Sequence, residues 1–471
     1  MKKNSLYDLC VIGGGAAGLT AAAGAATLGA KVVLIEKNAL GGDCLYSGCI
    51  PSKTLIHLAK ISSSLNKTDA AALNNPEKIT AHLEKVIKQI EPNDSPERFR
   101  KLGVEVIFGQ GQFITNHEFQ INNLSITAKN FVLATGTSPF IPAIAGLENT
   151  PYLTNETIFK TTEPFSHLII IGAGPVGCEL AQSYARLGVQ ISLLSSSQHL
   201  LPNEDTDLSA VLQQQLIDEG IQLYLNSTIQ RIFTVKNEVN LAFTDSSQQS
   251  NHLCGSHLLI ATGRQPNITG LNLKTIGLKI EKQQIIVDRR LRTSQKNIYA
   301  CGDLVSPYKF THMAEHQAGV VLKNALFHWP AKVEQQVVPH CTFTDPELAS
   351  VGLTEHAAMH NGIKYRSYTF PFDQIDRAIT DNNTLGFAKV ICSPKGKLLG
   401  AHIVGPQAGE LISEFVLALK QGLNLSAIRN TIHIYPTLSQ INRRVADQQL
   451  KTSLTPTIRK LLKWIFRLQG H

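Results

Sequence analysis

Cysteine is sparse in this chain, eight among 471 residues, and charge is thin at 17%. So few cysteines exclude a disulfide-stapled secreted scaffold. Six of them, Cys10, Cys178, Cys254, Cys301, Cys341 and Cys392, stand alone, where a cysteine usually serves as a small buried apolar side chain. That usage suits a reducing compartment, so a cytoplasmic protein is expected. Low charge beside 43% hydrophobic residues excludes a disordered chain. The net charge of +8 is scattered rather than gathered in a stripe, so no nucleic-acid partner is expected. Residues 10–30, CVIGGGAAGLTAAAGAATLGA, lack any charge. By length this run is a candidate membrane span, and Lys2 and Lys3 ahead of it imitate a signal peptide. Its Gly/Ala content and shortage of large apolar side chains argue against both.

A better reading follows from its glycines. An apolar strand at 6–12 leads into Gly13, Gly15 and Gly18, then an Ala-rich helix, then a second strand ending in Glu36. This is a dinucleotide-binding fingerprint in its expected context. Gly13 makes the tight turn, Gly15 lets a pyrophosphate approach the backbone, and Gly18 lets helix and strand pack closely. The helix N-terminus faces the phosphates, and Glu36 is placed for the ribose hydroxyls. The pattern recurs from His167, with Gly172, Gly174 and Gly177. There Ser195 stands where the first unit has Glu36. Without a carboxylate a ribose 2′-phosphate is not repelled, which leans toward NADPH, but no arginine follows to clamp it and NADH stays open. Two such sites in one chain suggest a tightly held flavin, FAD, and an exchangeable nicotinamide, NAD(P)H. The segments Ala134-Thr135-Gly136 and Ala261-Thr262-Gly263, and the IYACGDL stretch with Gly302 and Asp303, support this by their order. Each alone would be an ordinary strand-to-loop turn.

The segment GGDCLYSGCIPSK, 41–53, sets Cys44 and Cys49 between a glycine pair and a proline. The pair by itself reads as metal ligands, as a structural disulfide, or as a disulfide that opens and closes in catalysis. Together with the second fingerprint, ATGRQPN, ACGD, FTDPELASVGLTE and YPTLSQ, the segment closely resembles the class I flavoprotein disulfide reductases. These include dihydrolipoamide dehydrogenase, glutathione reductase and mercuric reductase. The similarity runs from about Tyr7 to about Asp447.

The resemblance implies an α/β fold of two Rossmann-like dinucleotide-binding domains plus a C-terminal α+β dimerisation domain. The FAD-binding domain is expected at 1–147 and 263–336, the NAD(P)H-binding domain at 148–262, and the interface domain at 337–448. A homodimer follows, because the interface domain completes the partner's site. Cys44 and Cys49 are then the redox-active pair. Cys49 is the flavin-side thiolate, favoured by a helix N-terminus, and Cys44 is the thiol that meets the acceptor. Structural zinc needs further ligands, and no second Cys or His pair is visible, so no metal ligands are assigned. Lys53 matches a lysine that pairs with a glutamate, here Glu179, beside the flavin. Asp303 matches the aspartate that holds the ribityl chain.

One departure concerns the interface domain. Family members acting on small disulfides carry a histidine before Pro-Thr and a glutamate behind it, a base and its orienter. In HIYPTLSQ these positions are Tyr435 and Gln440. A tyrosine with an ordinary pKa of ~10 is a poor base at neutral pH. His433, on the same face of an extended segment as Tyr435, is a candidate substitute. Dihydrolipoamide or glutathione turnover is therefore disfavoured, and a metal ion or other small-molecule acceptor, as in mercuric reductases, is expected near Cys44 and Tyr435. Mercuric reductases, however, carry a C-terminal cysteine pair, and no cysteine follows Cys392 here. Alternatives are a dihydrolipoamide dehydrogenase-type reductase and a flavin-bound, membrane-associated redox sensor with little turnover.

Two further segments have simpler readings. Residues 57–100 look helical and charged, an arm of the FAD domain closed by Pro92 and Pro96. In the basic tail at 449–471, residues 456–470 place Ile458, Leu461, Leu462, Ile465 and Phe466 on one helical face, with Trp464 and Leu468 flanking. Arg459, Lys460, Lys463 and Arg467 lie opposite. Such a helix either packs its apolar face on the protein or lies on the inner face of a membrane as a peripheral contact.

Overall fold

The uncharged run at 10–30 resolves into a strand, a turn and a helix: β1 (Tyr7–Ile12) and α1 (Ala16–Thr27). The turn between them is possible only for glycine. Gly13 has φ +109°, and a Cβ on it would sit 2.3 Å from the Ala134 carbonyl oxygen. A Cβ on Gly18 would sit 1.8 Å from the Gly13 oxygen, so α1 crosses β1 at backbone contact. The computed structural model describes residues 6–65 and 74–469. The chain divides into two units, 1–196 with 221–334 and 197–220 with 335–471.

In the first unit, β1, β2 (Val32–Glu36), β3 (Val104–Phe108), β4 (Gly111–Thr115), β5 (Glu118–Ile121) and β6 (Leu124–Leu133) form one sheet. Their order is β3-β2-β1-β6-β5-β4, with Ile298–Ala300 also on β6. β3, β2, β1, β6 and Ile298–Ala300 run parallel. Parallel strands are covered on both faces, and β1 accordingly reads as one apolar run rather than an alternation. The antiparallel β4 and β5 close one edge, where Phe113 meets Phe119 and Phe131 edge-to-face at 5.0 and 5.2 Å.

A second parallel sheet orders Gln222–Tyr224, Gln190–Leu194, His167–Ile171 and His257–Ile260. It repeats the device of the first. Gly172 has φ +121° and would clash with the Ala261 oxygen at 2.3 Å, and Gly177 with the Gly172 oxygen at 1.9 Å. The two ATG segments leave these sheets as the links between them. Thr137–Pro139 pairs antiparallel with Arg264–Pro266 directly after them, and Thr135 Oγ1 donates to the Asn267 carbonyl at 2.7 Å.

After α2 (Gly42–Tyr46) the arm runs through the end of α3 (Cys49–Ser64), residues 66–73, which lie outside the described residues, and helices Pro76–Ile90 and Pro96–Lys101. Pro92 lies in a short 3-10 turn, as a breaker should. Pro96 does the opposite of what was expected of it: it opens a helix in the first turn, where its missing N–H costs nothing, with Ser95 Oγ capping the Arg98 amide at 3.3 Å.

The second unit holds a five-stranded antiparallel sheet, His340–Thr342, Glu347–Gly352, Leu398–Gly405, Phe387–Cys392 and Arg366–Pro371 in that order. Helix Gln440–Ser453 buries Ile441, Val445 and Ala446 in the same core as Val390, Ile403 and Phe415. The architecture is thus α/β, with two Rossmann-like units and a C-terminal α+β domain. Among the described residues no helix is long and apolar enough to cross a membrane.

One cation sits inside the second unit. Lys389 is 1% exposed, with Nζ 2.9 Å from Asp205, 2.7 Å from Asp207 and 3.0 Å from Glu355. Removing one member of such a cluster strands the rest in low dielectric. We expect Lys389→Met to cost about 3–5 kcal/mol, read as a fall in the urea midpoint of the unit that contains it.

Candidate active site

Gly41 and Gly42, both at positive φ, turn the chain into α2. Gly42 lies against Gly15 so closely that a Cβ on it would be 2.7 Å from the Gly15 Cα. The chain therefore arrives at Cys44, in α2, from directly above the first glycine turn. Ser47 and Gly48 then reverse it, and Cys49 becomes the first residue of α3. Its sulfur lies at a helix N-terminus, where the dipole favours an anion.

Both sulfurs meet a single hydroxyl. Thr311 Oγ1, on the first residue of helix Thr311–Leu326, is 3.3 Å from Cys44 Sγ and 3.6 Å from Cys49 Sγ. Both cysteines are free thiols in this structure. The Cys44 thiol, by hydrogen bonding, brings Cys49 down to about 6, with help from Thr311 and the nearby Lys53 charge and against the cost of burial. The same hydrogen bond, burial and the Cys49 charge drive Cys44 well upward. At neutral pH the pair is therefore one thiolate and one thiol, with the charge on Cys49.

Lys53 follows Cys49 by one helical turn, so both share a face of α3. Its Nζ is 2.8 Å from Glu179 Oε2, and the Glu179 side chain is 6% exposed. Further along α3, Ser62 Oγ donates to the Arg186 carbonyl at 3.2 Å. Glu179 and Arg186 both belong to helix Pro175–Arg186 of the second fingerprint. Asp303 lies in the turn after Ile298–Ala300. Burial raises its pKa, and Thr137 Oγ1 lies 3.5 Å from its carboxylate. Gly302, at φ +74°, donates its amide to Gln317 Oε1 at 2.8 Å.

The glycine turns fit a bound dinucleotide. Helix α1 has no side-chain cap and no acid in its first turn, so its leading amides carry no built-in anion. Glu36 caps the turn beneath them, accepting from the Gly14 amide at 2.6 Å and the Asn38 amide at 2.8 Å. The sequence assigns to FAD Gly13, Gly15, Gly18, Glu36, the Ala134–Gly136 segment, Gly302 and Asp303. At the second turn a Cβ on Gly174 would meet nothing within 4 Å, leaving open space over the helix start. Gly172, Gly177 and Ser195 surround it. Ser195 holds the strand edge through its own backbone, its amide donating to the Tyr224 carbonyl at 3.0 Å, and presents no carboxylate. Gly263, at φ +123°, ends the ATG segment on that side.

In the interface domain the position expected for a base holds Tyr435. The His433 ring is turned inward, its side chain 5% exposed, with Nε2 3.1 Å from both Glu414 oxygens. Its ring is paired with Glu414, whereas Tyr435 is paired with Asp376. Tyr435 is 66% exposed and donates to Asp376 Oδ2 at 3.0 Å, which raises its pKa further. Gln440 is buried and donates to the His433 and Ile434 carbonyls at 3.1 and 3.2 Å. A glutamate there could only accept, so this carboxamide fits the loop in a way the family's glutamate would not. Ile432 and Ile434 are 92% and 77% exposed.

Several residues at the site escaped the sequence reading. Thr311 carried no motif. Arg264 lies within ATGRQPN, yet only the fold shows its task. It reaches Asp43, the neighbour of Cys44, at 2.9 Å, and Thr137 Oγ1 at 2.7 Å. Beside Cys44 lies a cavity of about 280 Å³ walled by Leu19, Ala23, Ile50 and Phe99, with Asp94, Arg98 and Glu315 as its charged groups. Burial raises the pKa of Asp94. Among the described residues no group of three or more His, Cys, Asp or Glu is placed to hold a metal ion.

Comparison with known proteins agrees with this geometry. Residues 7–318 match the family described as pyridine nucleotide-disulphide oxidoreductase, and residues 338–445 match its dimerisation domain. A mercuric reductase of Lysinibacillus sphaericus is 33% identical over 442 residues, 92% of this chain and 81% of that protein. A dihydrolipoyl dehydrogenase of Buchnera aphidicola is 33% identical over 450 residues, 92% of this chain and 93% of that protein. Among solved structures, the HOCl-induced flavoprotein disulfide reductase RclA of Escherichia coli, in a Cu(II) complex, aligns with a TM-score of 0.85 at 28% identity. The alignment covers 94% of this chain and 99% of that one. With its paired glycine turns, its cysteine pair and these matches, the chain belongs to the pyridine nucleotide-disulphide oxidoreductases, an FAD-dependent family that uses NAD(P)H and whose dimerisation domain supports a homodimer.

Proposed function

We propose that this protein uses NADPH, in preference to NADH, to reduce a soft metal ion presented to Cys44 and Cys49. The observation that carries this reading is the YPT segment. Tyr435 keeps its proton against Asp376, His433 is committed to Glu414, and Gln440 is a donor. A disulfide acceptor needs a base and acid to move the proton of the attacking and leaving thiols. An ion held by the pair has no leaving thiol to be protonated, and the Cys44 proton displaced when the ion binds passes to solvent. Thiolates also select soft ions over hard ones, and relatives named for mercuric ion and solved with Cu(II) support that class.

FAD, when bound, supplies the two-electron relay between the nicotinamide and the cysteines. The chain's own residues do the rest. Lys53 and Glu179 fix α3, and with it Cys49, against the second dinucleotide unit. Asp303 and the Ala134–Gly136 turn hold the flavin side. The absence of an acid at Ser195 leaves room for a 2′-phosphate. Tyr435, with its one hydroxyl proton donated to Asp376, serves as no base for the acceptor.

The cavity beside Cys44 favours a second acceptor class. Its apolar wall and its few charged groups match a small quinone-like molecule better than a charged peptide disulfide.

Anaerobic mixing with NADPH should give a long-wavelength thiolate–flavin absorbance faster than mixing with NADH, and Cys49→Ala should remove it. Survival of the band in that variant overturns the assignment of the two cysteines. In the reduced enzyme the band should fade as pH drops through about 6, because protonation removes the Cys49 thiolate. Cys44→Ala should move that midpoint upward. In steady state, mercuric or cupric ion should support NADPH oxidation while oxidised lipoamide and glutathione disulfide lag by about 100-fold or more, the usual contribution of a missing base. Equal disulfide turnover overturns the metal-ion reading.

A further inference from the structure

We propose that the C-terminal helix Pro456–Phe466 is a docking element for an anionic lipid surface. The proposal stands apart from the identity of the electron acceptor. The helix is well specified locally: Thr455 Oγ1 accepts the Ile458 amide at 3.3 Å and Pro456 occupies the first turn. Yet none of its eleven residues is buried. Ile458, Leu461 and Ile465 are 41–51% exposed, Phe466 65% and Trp464 79%, with Leu468 just beyond at 57%. An amphipathic helix of a globular protein normally turns such a stripe onto its own core. This one does not.

Charge identifies the occupant. No Asp or Glu follows Asp447, whereas Lys451, Arg459, Lys460, Lys463 and Arg467 do. An apolar groove would account for the stripe and leave a polar face of one sign unexplained. A second copy of the same helix would likewise cover the stripe and leave the polar face of one sign unexplained. A lipid surface containing acidic headgroups satisfies both faces: the acyl boundary takes the isoleucines, leucines and Phe466, the phosphates take the bases, and Trp464 suits the boundary between them. Eleven residues give a helix of about 16 Å, roughly half of what a bilayer core requires. It therefore lies on the surface and does not span it.

The test uses the intact flavoprotein and vesicles of phosphatidylcholine with or without phosphatidylglycerol. A Trp329→Phe background leaves Trp464 as the sole tryptophan reporter, the chain having two. We expect sedimentation with the mixed vesicles and a blue shift of Trp464 emission, both weakened by salt. We expect much weaker binding to phosphatidylcholine alone. Replacing Arg459 and Lys460 by alanine should lower partition about twentyfold. Leu461→Glu should abolish it, with flavin content, NADPH oxidation and dimer mass unchanged. No partition into mixed vesicles, or equal partition into both kinds, overturns the proposal. If Leu461→Glu instead splits the dimer, the face belongs to the partner copy and the lipid assignment falls.

Discussion

A buried carboxylate sets the terms for much of this structure. Glu179 sits on a helix packed on every side, and a charge in that position is tolerated only with a partner of opposite sign. The partner is Lys53, one turn below Cys49 on α3. Meeting that need fixes the rotation of α3 about its axis, and the Ser62 bond to the Arg186 carbonyl fixes its far end. The two dinucleotide-binding halves of the first unit are joined through the helix that carries the reactive thiolate. The lysine's charge also reaches Cys49, so one ion pair serves both placement and acidity.

The two glycine turns are near copies in their contacts, down to the same close approach of helix to preceding carbonyl. They differ in what surrounds the ribose position. Glu36 is spent on two backbone amides as well as on any ligand, so the first turn is braced from below. Ser195 brings no carboxylate to the second turn, and its backbone amide donates to the Tyr224 carbonyl at 3.0 Å. A tightly retained cofactor on one side and an exchangeable one on the other is consistent with that contrast.

Legibility in the sequence followed the range of the interactions. The glycine turns and the strands around them are local and could be read from spacing alone, whereas the role of the cysteine pair came only with the family likeness. Lys53 with Glu179 was visible only through family likeness, because the partners are far apart in the chain. Thr311 and Arg264 belong to no pattern of spacing, and their roles arise from where the helix after Asp303 and the paired linkers bring them. His433 holds Glu414, from another helix, a contact that spacing within HIYPTLSQ could not show. Pro96 was misread for a simpler reason: proline ends one helix and begins the next equally well, and Ser95 ahead of it was the local sign of a beginning.

Thr311 touches both sulfurs yet has one hydroxyl proton to offer. It can donate to only one of the two at a time. The direction of its O–H bond adjusts an inequality that the Cys44 hydrogen bond and the Lys53 charge already set in favour of a Cys49 thiolate. Two chemically identical side chains are made unequal by their surroundings, and exchanging their roles would require a proton to pass from Cys44 to Cys49 as well as a turn of that hydroxyl.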